Sequence, residues 1–584
     1  MRRLTTKASL KVLKQRATKT YALFLDTLHA QIVGRKMGFL RILPHSVLRL
    51  YPQAVRCILR NSMMPLLSSQ SVKHWVGDRS ALFRKYALTA VAFCCVMVFY
   101  IYSYNSGWGF DALEYLAIGR SLVDGYALYA FIPSKSWGLY AFIAAAFRLG
   151  VPTSHAGVSA LITGLFAASV ASTWYVARRL FGTRIAWTSI VLVGLCAAFM
   201  ELNFLEPEPF VYLFGLAAYY VLLSNNTEVS KSPSRFFWAA FLVACGCAFK
   251  VVAGFYILAI GVFAVYRAGL SRRRFDVTIR AAAATSLGFI CGFAPQLMYF
   301  TLTGRTHQFL EWTITYPLLH YPRSTDFLLK FVTKLLWFLV LTLASVTITL
   351  RGRLRQKFLA DERVLLAVAM GIAGWLSLFK NQATHYAFPG AAFLCFFISW
   401  VAWTTLDHNK ITARQIAAVS GCLIGLIGFA ALLYSPRIVK RFTSWRDFAD
   451  ERVLRSEVQS FVKFRQNFLA INDSAQMYWI SERYPPVPVL NTEAQTTWWL
   501  SKNPRAFADA VGNSRLTLIE FNPNAVYLDD PNAYANGTWK LALGDLRDAL
   551  SRSFCQTAPP DAQGHLFWVR KDGQLGARFC KHRN

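Results

Sequence analysis

Between residues 87 and 434 the chain repeats one pattern, an apolar run followed by a short polar connection. A membrane-spanning helix needs about 20 predominantly apolar residues. Such runs fall at about 87–103, 156–177, 185–203, 209–224, 280–300, 328–349, 363–379, 386–404 and 414–434. Residues 236–267 read as two shorter helices broken near Lys250, the only charge between Arg235 and Arg267. The total is about eleven spans. One further apolar piece, Trp137 to Phe147, is too short to cross ~30 Å of hydrocarbon and is expected as a re-entrant or juxtamembrane helix.

After residue 435 the pattern changes. Short apolar runs such as Phe468 to Ile471 and Leu516 to Phe521 alternate with helical periodicity at about 454–466, 502–511 and 543–554, separated by turn-rich stretches. The predicted fold is an all-α polytopic membrane bundle over 87–435 with a small α/β domain at 436–584. Residues 1–86 precede it as a basic extension, with seventeen Lys/Arg against Asp26 and Asp78. They lack a compact apolar core followed by a small-residue cleavage site, so they are expected to stay cytoplasmic on anionic lipid.

Composition agrees with the pattern: 55% of the 584 residues are hydrophobic and 16% are charged. The net charge of +33 does not signal nucleic acid, because the basic residues concentrate in short loops between spans. Of eleven cysteines, eight fall in apolar spans, where Cys packs as a small hydrophobe. Only Cys555 and Cys580 lie in the tail, and they are expected to form one disulfide if the tail is in an oxidising compartment.

Charge bias also orients the spans. With a cytoplasmic N-terminus, Arg178, Arg179 and Arg184 fall inside, as do Arg272 to Arg274 and Arg351 to Arg355. Were residues 137–149 a full span, Arg178, Arg179 and Arg184 would lie outside, so the re-entrant reading is preferred. It brings Asp111, Glu206-Pro-Glu208, the 301–325 loop and Lys380 to His385 to one outer face. The tail follows as a periplasmic domain. A carboxylate at such a mouth, with Lys135 nearby, suits the deprotonation of a hydroxyl beside a lipid-phosphate leaving group. Lys135, Lys250, Lys380 and His385 lie at predicted outer helix ends, where snorkelling also accommodates a lysine. Glu206 and Glu208 suit orientation of an acceptor, a divalent ion held jointly with Asp111, or simply a helix N-terminus. Trp312, Tyr316, His320 and Tyr321 suit either stacking on a sugar or an interfacial aromatic belt.

The ordered motifs resemble the GT-C superfamily of integral-membrane glycosyltransferases, in its bacterial branch of aminoarabinose transferases and protein O-mannosyltransferases. The run is Asp111-Ala-Leu-Glu-Tyr115 through Gly125-Tyr126, followed by Ser134-Lys135-Ser-Trp-Gly-Leu-Tyr140, the Ala-Arg-Arg-Leu-Phe-Gly loop, Glu208, the break at Lys250, and His385-Tyr386 with Phe388-Pro389. The second acid of the family's opening motif is Ala112 here, and the aminoarabinose substrate is not implied. The resemblance implies inverting transfer of a sugar from a polyprenyl-phosphate donor to a hydroxyl of an envelope lipid, glycan or protein at the bacterial inner membrane. Asp111 would be the general base. Lys135, Lys250, Lys380 and His385 would face the donor phosphate, and Glu114, Tyr115, Glu206, Glu208 and Tyr386 the acceptor or sugar. The resemblance fixes no cofactor and allows a divalent metal, and nucleic acid is not an expected partner. A transporter or flippase for a lipid-linked saccharide is the alternative from another class; it would carry internal repeats and midplane polar groups. An O-antigen ligase or polymerase would place its large external loop between late spans.

Overall fold

The computed structural model describes residues 95–106, 110–133, 135–224, 233–269, 274–320, 328–350, 353–379 and 383–408 of the apolar half. In the tail it describes 455–456, 458–459, 467–471, 474–490, 494–513, 516–522, 537–557 and 566–580. The basic extension, the expected span at 414–434, Lys380 and Tyr321 lie outside the described residues.

The apolar half is helical. α1 covers 95–106, and α2 (Phe110–Val123) and α3 (Trp137–Arg148) follow it. Then come α4 (His155–Phe181), α5 (Thr183–Phe199), α6 (Glu208–Leu223) and α7 (Pro233–Cys247). A 3-10 turn (Val251–Phe255) leads into α8 (Tyr256–Gly269), and α9 (Arg274–Leu302) is the longest helix described. α10 (Thr306–Leu310) runs into a π-helix (Glu311–His320), and α11 (Leu328–Leu350), α12 (Arg353–Ala360), α13 (Glu362–Trp375) and α14 (Phe388–His408) complete the set. Among the described residues four stretches are long and apolar enough to cross a membrane: His155–Phe181, Val251–Gly269, Phe275–Leu302 and Thr384–Asp407. Leu335–Leu350 and Leu354–Ala360 form a fifth only as a pair bent by 100°. The expected spans at 185–203, 209–224 and the first half of 236–267 are apolar helices of 10–17 residues. The break read at Lys250 is present, with Lys250 extended (φ −158°, ψ 124°) at the start of the 3-10 turn.

Small residues allow the helices to meet closely. A Cβ on Gly288 would lie 2.1 Å from the Phe237 carbonyl oxygen, and one on Gly292 would lie 2.7 Å from the Phe241 carbonyl oxygen. This small-xxx-small spacing seats α9 on α7 backbone to backbone, as lipid-embedded helices require in place of a hydrophobic driving force.

The tail is α/β. Four strands, β1 (Asn467–Ala470), β2 (Leu516–Glu520), β3 (Phe554–Gln556) and β4 (Phe567–Arg570), form a sheet in the order β1-β2-β4-β3. β1 and β2 run parallel; β4 is antiparallel to both β2 and β3. The helices of this half are α15 (Ser474–Ser481), α16 (Ala494–Lys502), α17 (Ala506–Gly512), α18 (Thr538–Ser553) and α19 (Gln574–Phe579). Alternating burial on β4 and the buried Trp539, Leu543, Leu546 and Leu550 of α18 place the core between sheet and helices. Cys555 and Cys580 are disulfide-bonded, with Cα atoms 5.9 Å apart, joining β3 to the end of α19. Closing a loop of this length stabilises a fold by ~3–4 kcal/mol on chain-entropy estimates.

Candidate functional site

Asp111 lies in the first turn of α2, where the helix dipole favours a carboxylate. Tyr115, one turn later, donates its hydroxyl to Asp111 Oδ2 at 3.1 Å, and Lys135 Nζ stands 3.5 Å from the same oxygen. The Lys135 side chain is only 8% exposed and that of Asp111 34%, so the acid is the member of the pair that solvent and small solutes reach. Burial works against the Lys135 charge, yet Tyr115, Tyr386, Asp111 and Glu206 around it hold its pKa well above the ordinary value.

The segment after Lys135 is held by two contacts that the sequence did not reveal. The Lys135 backbone N–H donates to the Tyr140 hydroxyl at 2.9 Å, and that hydroxyl donates to Glu114 Oε1 at 3.3 Å. Gly138 N–H donates to the Ala248 carbonyl at 2.7 Å, and a Cβ on Gly138 would fall 2.7 Å from the same oxygen. The start of α3 therefore docks into the helix break that carries Lys250. Close backbone approach is a recognised reason for glycine, and the one signal for it was a glycine directly after Lys135-Ser-Trp.

Glu206-Pro-Glu208-Pro turns the chain between α5 and α6. Pro207 is the N-cap and Pro209 occupies the first turn, where a missing N–H costs nothing. Glu208, fully buried, is ion-paired with Lys250. Lys250 Nζ also lies over the Tyr386 ring, 3.1 Å from its centroid, and Lys135 Nζ lies 5.9 Å from that centroid. Tyr386 is thus shared by both lysines. Its turn is fixed by Trp375 Nε1 donating to the Ala387 carbonyl at 3.0 Å. His385 Nε2 lies 4.0 Å from Glu206 Oε2. Burial pushes the Glu206 carboxyl well above the usual carboxylate range; Glu208 and Asp111 act in the same sense, and Lys135 and Lys250 oppose them.

Asp111, Tyr115, Lys135, Glu206, Glu208, Lys250, His385 and Tyr386, spread over 276 positions of sequence from 111 to 386, are therefore linked through shared contacts. Glu114 is brought to Tyr140 instead. Trp312, Tyr316 and His320 gather on Trp498 of the tail, with ring centroids 5.4, 5.3 and 5.0 Å away, so an intramolecular partner occupies them.

Glu206, Glu208 and His385 each offer one ligand atom, and these atoms lie within 4.8 Å of one another. Glu206 Oε2, Glu208 Oε2 and His385 Nε2 are buried without a hydrogen-bond partner. Mixed carboxylate and imidazole donors suit a divalent ion, so the donor set fits one.

Residues 139–299 match the family model for dolichyl-phosphate-mannose-protein mannosyltransferase. Among solved structures, the chain is similar to apo ArnT from Cupriavidus metallidurans, with TM-score 0.57, 11% identity, and coverage of 83% of this chain and 98% of that one. The chain has the GT-C fold. The same ArnT bound to undecaprenyl phosphate matches with TM-score 0.54 at 12% identity, over 83% and 98% of the two chains. The Archaeoglobus fulgidus oligosaccharyltransferase with a tethered acceptor peptide matches at TM-score 0.49 and 11% identity, over 85% and 75%. No curated protein matches the sequence. Within the GT-C fold, Asp111 belongs to the helix after the first apolar stretch, and the family-model match spans both Glu208 and Lys250.

Proposed function

We propose that this chain is an integral-membrane glycosyltransferase that moves a sugar from a polyprenyl-phosphate donor to a hydroxyl acceptor. The observation that carries the reading is the pair of largely buried lysines, Lys135 and Lys250, held by Asp111 and Glu208 and sharing one tyrosine ring. Buried cations at a membrane protein's polar end require a reason, and an anionic lipid phosphate supplies one. The family-model match and the undecaprenyl phosphate bound by ArnT support the donor class.

In this reading the acceptor oxygen attacks the anomeric carbon and its proton passes to Asp111. The anomeric carbon–oxygen bond breaks on the opposite side, its electron pair leaves on the lipid phosphate, and the configuration inverts. Lys135 serves both partners. When it turns to the phosphate, the Asp111 carboxylate is released to take the hydroxyl proton. Lys250 stays paired to Glu208 and adds a fixed positive field. Glu206, Glu208 and His385 are the residues that would hold a divalent cation, which would supply Lewis-acid stabilisation of the phosphate. The site would lie on the outer face of the bacterial inner membrane with residues 436–584 in the periplasm. The Cys555–Cys580 bond supports that orientation.

The test is purified protein in lipid nanodiscs, given polyprenyl-phosphate sugars and followed by mass spectrometry for free polyprenyl phosphate. The same sugar mass should disappear from one envelope glycolipid or glycoprotein of a deletion strain. Translocation of intact donor without cleavage would replace the transferase by a flippase.

A sharper expectation concerns Glu206. Burial raises its pKa well above the usual carboxylate range, so the neutral form persists to higher pH than in an ordinary carboxyl and the group ionises only as pH rises through that raised value. The new negative charge beside the phosphate then slows transfer. Glu206→Gln, a permanent mimic of the neutral acid, should retain activity within about threefold at pH 7 and lack that alkaline fall. A loss above about tenfold, accompanied by sensitivity to chelators, would mean that a cation takes the proton's place.

A further inference from the structure

The segment bearing Asp111 and Lys135 is gripped by the C-terminal domain at several points. Arg120, nine residues beyond Asp111 on α2 and about 13.5 Å along its axis, points its guanidinium at the last turn of α15. It donates to the Trp479 carbonyl at 2.9 Å and to the Tyr478 carbonyl at 2.7 Å, and lies 4.8 Å from the centroid of the Trp479 ring. A cation on the terminal carbonyls of a helix satisfies acceptors that the helix itself cannot. The Tyr484 hydroxyl bonds to Asp124 just past α2. Ile132 N–H, three residues before Lys135, donates to the Pro488 carbonyl at 2.7 Å. Between these points Tyr129 adopts φ 60°, a left-handed conformation unfavourable for a bulky side chain. It is held there by Arg305 on its carbonyl at 3.1 Å and by Thr313 on its hydroxyl at 3.0 Å. Such strain persists only where the surroundings over-determine the backbone.

We propose that the tail is part of the frame of the active site: through Arg120, Asp124 and Ile132 it sets the spacing of Asp111 and Lys135, and Arg120 is a positioning residue for transfer. The inference rests on the transferase reading for its consequence in rate. Its structural content is independent of that reading, because the Asp111–Lys135 spacing can be probed without substrate. Small misplacements of reacting groups cost rate steeply, up to about 10²-fold per ångström.

The experiment uses the full-length protein. Carbodiimide-activated amidation of carboxyl groups is read by peptide mass mapping, alongside thermal unfolding and the state of the Cys555–Cys580 bond. In Arg120→Ala, Asp111 labelling should rise at least threefold while Glu208 labelling and the disulfide are unchanged. Arg120→Lys should fall between that variant and the wild type. Where turnover is measurable, kcat should drop by about tenfold or more with donor KM within twofold. If Arg120→Ala does not fold, Tyr484→Phe decides, because it removes only the hydroxyl bonded to Asp124 and keeps the ring packed on Phe131. Raised Asp111 labelling there supports the proposal. Unchanged Asp111 labelling in folded Arg120→Ala, or in Tyr484→Phe should the former not fold, overturns it. Absence of turnover in the wild type, with raised labelling in the variant, would count against the transferase reading and leave the frame intact.

Discussion

Asp111→Asn is expected to abolish sugar transfer while leaving the protein folded and able to bind donor lipid. Amide and carboxylate have the same shape, and the amide oxygen still accepts from Tyr115. What disappears is the proton acceptor. A positioned general base contributes roughly 10²–10⁴-fold to a rate, so residual turnover should fall to about 1% or below. Donor affinity should hold or improve, because Lys135 loses its anionic competitor and turns wholly to the phosphate. Single-turnover assay with labelled donor, beside binding of polyprenyl phosphate alone, separates the two effects. Residual turnover above a few per cent of wild type would remove Asp111 from the role and make Glu208 the next acid to test.

The second large effect should come from Lys250→Ala, and here stability and activity should both fail. Removing Lys250 strands Glu208, whose side chain is only 1% exposed, as an uncompensated buried charge. Breaking such a pair from one side costs about 3–5 kcal/mol, a large part of the net stability of a domain. Adding Glu208→Gln to the same chain removes the stranded charge and should recover most of the lost thermal stability. Transfer should not recover, since the field on the leaving phosphate is still missing. If single and double variants unfold alike, the pair is not what holds this region. If the double variant regains transfer, Lys250 has only a structural part.

Much of this site was legible because its residues break a local rule. A lone lysine in thirty apolar residues, two glutamates alternating with prolines, and an aspartate directly after a span each conflict with the surrounding hydrophobic pattern, and the structure links them all. Arg120 and Tyr140 break no such rule. An arginine near a helix end reads as an ordinary solvated charge, and its partners are backbone carbonyls 358 and 359 positions away. Tyr140 reads as one more aromatic on an apolar helix, although it ties Lys135 to Glu114. Hydropathy overstated one helix: the run expected at 185–203 is helical over Thr183–Phe199 only, because the chain leaves the helix ahead of the Glu206-Pro-Glu208-Pro turn, whereas the run expected at 209–224 is matched by Glu208–Leu223.

The contact of Gly138 with Ala248 has a consequence for anyone wishing to alter donor preference. Lys135 and Lys250 sit on segments that touch main chain to main chain, with no side chain between them to shorten or lengthen. The main-chain separation of the two lysine-bearing segments is therefore a fixed gauge, closed to adjustment by ordinary point substitution, and only the side chains can change their reach. Engineering for a bulkier or smaller head group must leave that gauge alone and reshape the walls around it.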